Sequence, residues 1–219
     1  MAKHFQLEID RLNRRLLAIG ATVVEAIQKA LLALEARRAE IAAQVMDGDR
    51  RIDLEEVAVE EECLKLLALY QPVAADLRFI AAVMKINNDL ERMADEAVNI
   101  AEHASFLARH ERIPLPPQLK DMTEAAMRMV RESLDAFVTG DAEEARRICG
   151  EDDQVDRLNE EIIRWVWQLM QKDPATIERA THLFSVSRHL ERIADHATNI
   201  GEDVVYMVEG KIIRHAAQT

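Results

Sequence analysis

Apolar residues recur every three or four positions along most of the chain, which is the spacing of one buried face of a helix. From about Phe5 to Ala36 that face is read from Leu12, Leu16, Ile19, Val23, Ile27 and Leu31. A short helix is predicted from about Ala39 to Met46, ended at Gly48, and Asp49 then has the position of an N-cap for a helix reaching Tyr70. Pro72 breaks that helix, and a long one follows from about Ala74 to Arg109. The run Ile113-Pro114-Leu115-Pro116-Pro117 cannot continue it, because proline has no amide hydrogen and its ring clashes with the preceding turn. Beyond this linker the plan returns. A helix over 117–139 stops at Gly140, and Asp141 caps a short piece running to Cys149. A helix from about Asp152 to Gln171 is broken at Pro174, and a long helix then stops at Gly210. No period-two alternation appears, so no strands are predicted.

The second half repeats the first at the level of residues. Residues 90–102 read L-E-R-M-A-D-E-A-V-N-I-A-E and residues 190–202 read L-E-R-I-A-D-H-A-T-N-I-G-E, identical at nine of thirteen positions. Pro72 pairs with Pro174, Asp49 with Asp152 and Asp53 with Asp156. A period near 100 residues is too long for a solenoid and fits two related units. The expected fold is all-α, with two tandem, pseudo-symmetric antiparallel three-helix bundles over residues 1–112 and 113–219, each carrying one short extra turn.

Charge narrows the function. Forty acidic residues against 28 basic ones leave a net charge of −12, and no arginine run exceeds two, so no nucleic-acid footprint is visible. Aromatic residues are 4% of the chain, too few for a base-stacking platform. Cys63 and Cys149 form no metal or disulfide framework and are expected to behave as small buried apolar residues. The first residues lack an apolar targeting core, and no stretch approaches 18 uninterrupted apolar residues. A cytoplasmic protein touching membranes only peripherally is expected.

Candidate chemistry lies in four acid pairs at i and i+4, a spacing that puts both carboxylates on one helix face, where they repel. They are Asp49 with Asp53, Glu91 with Asp95, Asp152 with Asp156, and Glu191 with Asp195. Asn99 and Glu102 extend the stripe in the first half, and Asn199 and Glu202 in the second; each stripe covers about 80° of arc, opposite the apolar face. Brought together, such oxygens suit Mg²⁺, Ca²⁺, Mn²⁺ or iron, and zinc less well. The plainer alternative is a solvated face, with Asp49 and Asp152 capping helices.

Of the seven histidines, none stands in Glu-x-x-His or His-Glu-x-x-His, and no nucleophile elbow or phosphate-binding glycine loop occurs, so no enzyme is expected. His196, beside Asp195, reads as a surface histidine with a possible role at the acid site. Trp165 and Trp167 cannot share a helix face; one is expected in the core and the other as a partner anchor. Met122, Met127 and Met129 read as core filler.

The turn Tyr70-Gln71-Pro72-Val73-Ala74-Ala75-Asp76-Leu77-Arg78 and the segments Asp89–Asp95, Asp173–Arg179, Leu190–Ile200 and Glu202–Gly210 resemble the PhoU family of phosphate-transport accessory proteins from end to end. Two departures stand out: Ala94 and Ala194 where the family usually has glycine, and Glu96 where it usually has histidine. The resemblance implies a homodimeric regulator acting between the phosphate ABC transporter ATPase and a sensor histidine kinase. It also implies metal binding (Mg, Mn, Fe or Zn) at the E/D-x-x-x-D pairs. A PhoU-like regulatory domain for another ion transporter, or a carboxylate-bridged metal enzyme, are the alternatives.

Overall fold

The computed structural model describes residues 2–213. Among them are seven α-helices, one 3₁₀ turn at Pro174–Thr176 and no strand. The helices are α1 (Ala2–Ala36), α2 (Ala39–Tyr70), α3 (Ala74–Arg109), α4 (Leu119–Thr139), α5 (Ala142–Cys149), α6 (Asp152–Lys172) and α7 (Ile177–Glu209). His215 lies outside the described residues.

Most stops are where local chemistry places them. Gly140 (φ 66°) and Gly210 (φ 73°) end α4 and α7 in the left-handed conformation that only glycine adopts freely. Asp141 caps α5, its carboxylate accepting from the amides of Glu143 and Glu144 at 3.0 Å.

Gly48 does not end a helix, and Asp49 is not an N-cap: α2 runs unbroken from Ala39 to Tyr70. Ala42, Val45 and Ile52 share one buried face across that point, and their burial outweighs the roughly 1 kcal/mol that an interior glycine costs. The matched position in the second half does break. Around Gly150 the amides of Gly150 and Glu151 reach back only three residues, to the carbonyls of Arg147 and Ile148. The extra short helix is therefore separate only there. Asp152 occupies the first turn of α6 without capping it; Glu151 is the flanking residue and makes no side-chain cap bond.

Helices α1, α2 and α3 pack on one another as the first bundle, and α4, α5 and α6 pack around α7 as the second. The bundles meet where α3 lies against α7, and the buried apolar residues of both halves join in one cluster. Cross-pairs fix the direction: Lys85 meets Asp203, Asp89 meets His196, Glu96 meets His189 and His103 meets His182. Numbers rise on α3 as they fall on α7, so the two helices are antiparallel and related by a pseudo-twofold axis near Arg92 and Arg192. At Gly201 the backbones of α7 and α5 approach so closely that a Cβ would meet the Ala145 carbonyl oxygen at 2.9 Å.

Helix α1 is long and apolar enough to cross a bilayer by length and composition, but it buries its apolar face, from Leu12 to Leu34, in the first bundle. Met122, Met127 and Met129 are core. Cys63 is buried and free, its thiol pushed up to about 12 by burial and the nearby Glu62 and Glu60. Trp165 packs against the core while Trp167 is 59% exposed.

Candidate functional site

The four acid pairs converge two by two, α2 on α3 and α6 on α7. In the second bundle, burial and the neighbouring charges of Asp195, Asp156, Asp153 and Glu191 push Asp152 up to about 6. Burial together with Asp156 raises Asp195; burial together with Asp195 and Asp156 raises Glu191, against the opposing Arg188. In the first bundle, burial with Asp53 and Asp95 raises Asp49, and burial with Asp95, Glu56 and Asp53 raises Glu91 despite Arg92. A carboxylate raised by another on the neighbouring helix lies within electrostatic reach of it. The desolvation of these acids also corrects the expectation of a fully outward stripe. The side chains of Glu91 and Glu191 are 23% and 15% exposed, while Asp53, Asp156 and Asp195 stay exposed, so the stripe is covered on one side only, where two helices meet.

Three further residues belong with them, and single-helix spacing hides all three. Glu56, on the α2 face toward α3, is raised by burial and by Glu60 and Asp53, and the Asn87 amide donates to its backbone carbonyl at 2.9 Å. Asn159 stands at the matched position on α6 and donates to Glu191 Oε1 at 3.0 Å. The sequence signal was the offset of 103 that also relates Asp53 to Asp156.

Asn99 and Asn199 do not join these clusters. Asn99 donates to Glu96 and Asn199 to Asp89, so both amides serve the α3–α7 seam. Nor is His196 a surface histidine: it is half-buried, with Nδ1 2.8 Å from Asp89 Oδ1. Its pseudo-symmetric counterpart is Glu96, 2% exposed, which faces His189 at 2.5 Å and Arg192 at 2.8 Å. Burial pushes Glu96 upward, but His189 and Arg192 outweigh it and hold its carboxyl below the usual range. The glutamate that departs from the family pattern is thus a fastener between bundles.

The donor chemistry of the acid clusters fits a hard cation. Asp49, Asp152, Asn87 and Asn159 each keep a buried side-chain oxygen that accepts no hydrogen bond, and every donor in the two clusters is oxygen. The carboxylates are not drawn into a closed sphere: among the described residues no group of three or more His, Cys, Asp or Glu side chains is arranged around one point.

The PhoU domain model matches the chain twice, over residues 16–104 and 119–204. The chain belongs to the PhoU family. It is 43% identical to the phosphate-specific transport system accessory protein PhoU homolog of Aquifex aeolicus, over 95% of this chain and 94% of that one. The crystal structure of PhoU from Pseudomonas aeruginosa superposes with a TM-score of 0.91 at 36% identity, covering 94% of this chain and all of that chain. The phosphate transport system regulatory protein PhoU of Streptococcus pneumoniae gives 0.89 at 34% identity, over 95% and 98%. The two matched segments of the PhoU domain each carry one acid cluster, so the clusters are a property of the repeated unit.

Proposed function

We propose that this chain is a non-enzymatic, homodimeric regulator of phosphate uptake and phosphate-starvation signalling. In this reading it acts in the cytoplasm, between the ATPase of the phosphate ABC transporter and a sensor histidine kinase, and reaches the membrane only through those partners. The relatives' names as accessory and regulatory proteins of phosphate transport support it. So does a sequence without Glu-x-x-His, His-Glu-x-x-His, a nucleophile elbow or a phosphate-binding glycine loop.

The observation that carries the proposal is the matched pair of acid clusters, one per bundle, in each of which burial and neighbouring carboxylates raise two or more acids. Such clusters store repulsion that a cation relieves. Asp49, Asp53, Glu91 and Asp95 would hold one ion, and Asp152, Asp156, Glu191 and Asp195 the other, with Mg²⁺, Mn²⁺, Fe²⁺ or Zn²⁺ as the ions to try. A bound cation would supply positive charge and open coordination positions to a partner's carboxylates, while the empty cluster favours a partner's arginines.

Deleting the gene is expected to derepress phosphate-starvation genes in rich phosphate. A folded Glu91→Lys/Glu191→Lys variant should then fail to restore repression. Full complementation by that variant would remove the clusters as the working surface. Titration separates the metal part: Glu191→Gln/Asp195→Asn should lose the thermal stabilisation that Mn²⁺ gives the second bundle by mass action.

A further inference from the structure

The two ends of the α3–α7 seam are fastened differently. At one end Lys85 Nζ lies 2.8 Å from Asp203 Oδ1. The pseudo-symmetric counterpart of Asp203 is His103, and at that other end His103 Nδ1 lies 2.8 Å from Nδ1 of His182. Two imidazoles are hydrogen-bonded to each other across the two helices, where the rest of the seam sets carboxylates against lysine, arginine or histidine.

Both rings have the neutral charge state that a metal ligand needs. Burial, helped by His182 and His189, pushes His103 down to about 4; burial and His110 lower His182 against the opposing Glu178. Neutral at pH 7, they share one hydrogen, which one Nδ1 donates to the other. An entering cation takes both Nδ1 lone pairs while the donor ring moves its proton to Nε2, so both imidazoles stay neutral and no net proton is released. For metal–nitrogen bonds of about 2.0 Å, two ligands at a right angle stand about 2.8 Å apart. That separation suits square or tetragonal ions better than tetrahedral zinc, whose wider angle separates its ligands further.

The rings are also oriented from behind. Phe106 stacks on His182 at 3.7 Å between centroids, and His189 stacks on His103 at 5.4 Å while its own Nδ1 is held by Glu96. The nearby Glu178 supplies negative potential. We propose that His103 and His182 form a two-nitrogen site for a d-block dication of the Ni²⁺ or Cu²⁺ type, strapping the first bundle to the second, with water in the remaining positions. The site is nitrogen-based and lies between bundles, whereas the acid clusters are oxygen-based and lie within them, so the proposal does not rest on the function assigned to those clusters.

The test uses the full chain, stripped with chelator and carrying His4→Gln/His215→Gln so that histidines near the termini do not compete. Calorimetric titration with Ni²⁺ should show, beside any binding at the acid clusters, a site that weakens at least about tenfold in His103→Gln and in His182→Gln. It should be unchanged in Glu191→Gln/Asp195→Asn. The Cu²⁺-loaded protein should give an electron paramagnetic resonance spectrum with coupling to two imidazole nitrogens, absent from the His103→Gln/His182→Gln variant. Circular dichroism establishes that the variants fold, and the wild-type copper spectrum needs no seam substitution at all. Equal Ni²⁺ affinity with and without the two histidines, loss of the site only in the acid variant, or a copper spectrum without two nitrogen couplings would each overturn the proposal.

Discussion

Burial and four neighbouring carboxylates push Asp152 to about 6, well above the ordinary 3.8. Between those two values the folded state binds more protons than the unfolded one, so this residue's contribution to stability falls as pH rises through the window. Above about 6 its cost is fully present; below about 4 it vanishes. With chelator present, Asp152→Asn should therefore stabilise the protein at pH 7 by about 1 kcal/mol, after discounting the shift for solvent screening, and have no effect near pH 4. Saturating Mn²⁺ should reverse the sign at pH 7, because the substitution then removes a ligand. Thermal melts at the two pH values, with and without the ion, check all three outcomes. At this scale the acid pairs were legible, since i,i+4 spacing and the repeat mark them in the chain. The partial burial of Asp49, Glu91, Asp152 and Glu191 was not. Spacing on one helix says which residues share a face, and nothing about how deeply a second helix covers it.

Two helical glycines illustrate what separates a helix that forms locally from one that is packed. Gly48 is exposed in mid-α2, with nothing within 4 Å of where a Cβ would stand. Gly48→Ala should stabilise by about 0.5–1 kcal/mol, because alanine loses less backbone freedom on folding. Gly201 is buried in α7, where a Cβ would meet the Ala145 carbonyl oxygen at 2.9 Å and Cys149 Sγ at 3.0 Å. Gly201→Ala should force α5 away and destabilise by about 1–3 kcal/mol, which denaturant titration of both variants would read as opposite shifts in midpoint. The same contrast explains which elements could be foreseen. Caps and stops written in a few adjacent residues, such as Asp141, Gly140 and Gly210, stand where their chemistry puts them. The break expected at Gly48 does not occur, because packing on α1 and α3 decides that position. Helical angle places Asn99 and Asn199 on the acid stripe, yet Asn199 reaches Asp89 on the other long helix and Asn99 bonds Glu96, which itself faces that helix. Periodicity gives a helix its buried face without naming the neighbour that covers each part of it.

The repeat suggests two independent units, yet the contact between α3 and α7 binds them into one. Asp89, Glu96 and Asp203 are each under a tenth exposed in that seam, and each meets a basic group from the opposite bundle. Parting the bundles would break those pairs and open a cluster of buried apolar residues that runs through both halves. Unfolding should accordingly be one cooperative event, with calorimetric and van't Hoff enthalpies in agreement, although the two halves are homologous. Replacing His189 and Arg192 together by alanine removes two of the groups that compensate Glu96, which is left with Asn99. Stranding a buried carboxylate in this way costs on the order of 3 kcal/mol, so the variant should melt several degrees lower. It should lose amide protection first along α3 and α7, whichever bundle the amide belongs to. Two resolved transitions in the wild type, or a variant that loosens only the second bundle, would show that the seam is a contact between finished domains and not part of a single core.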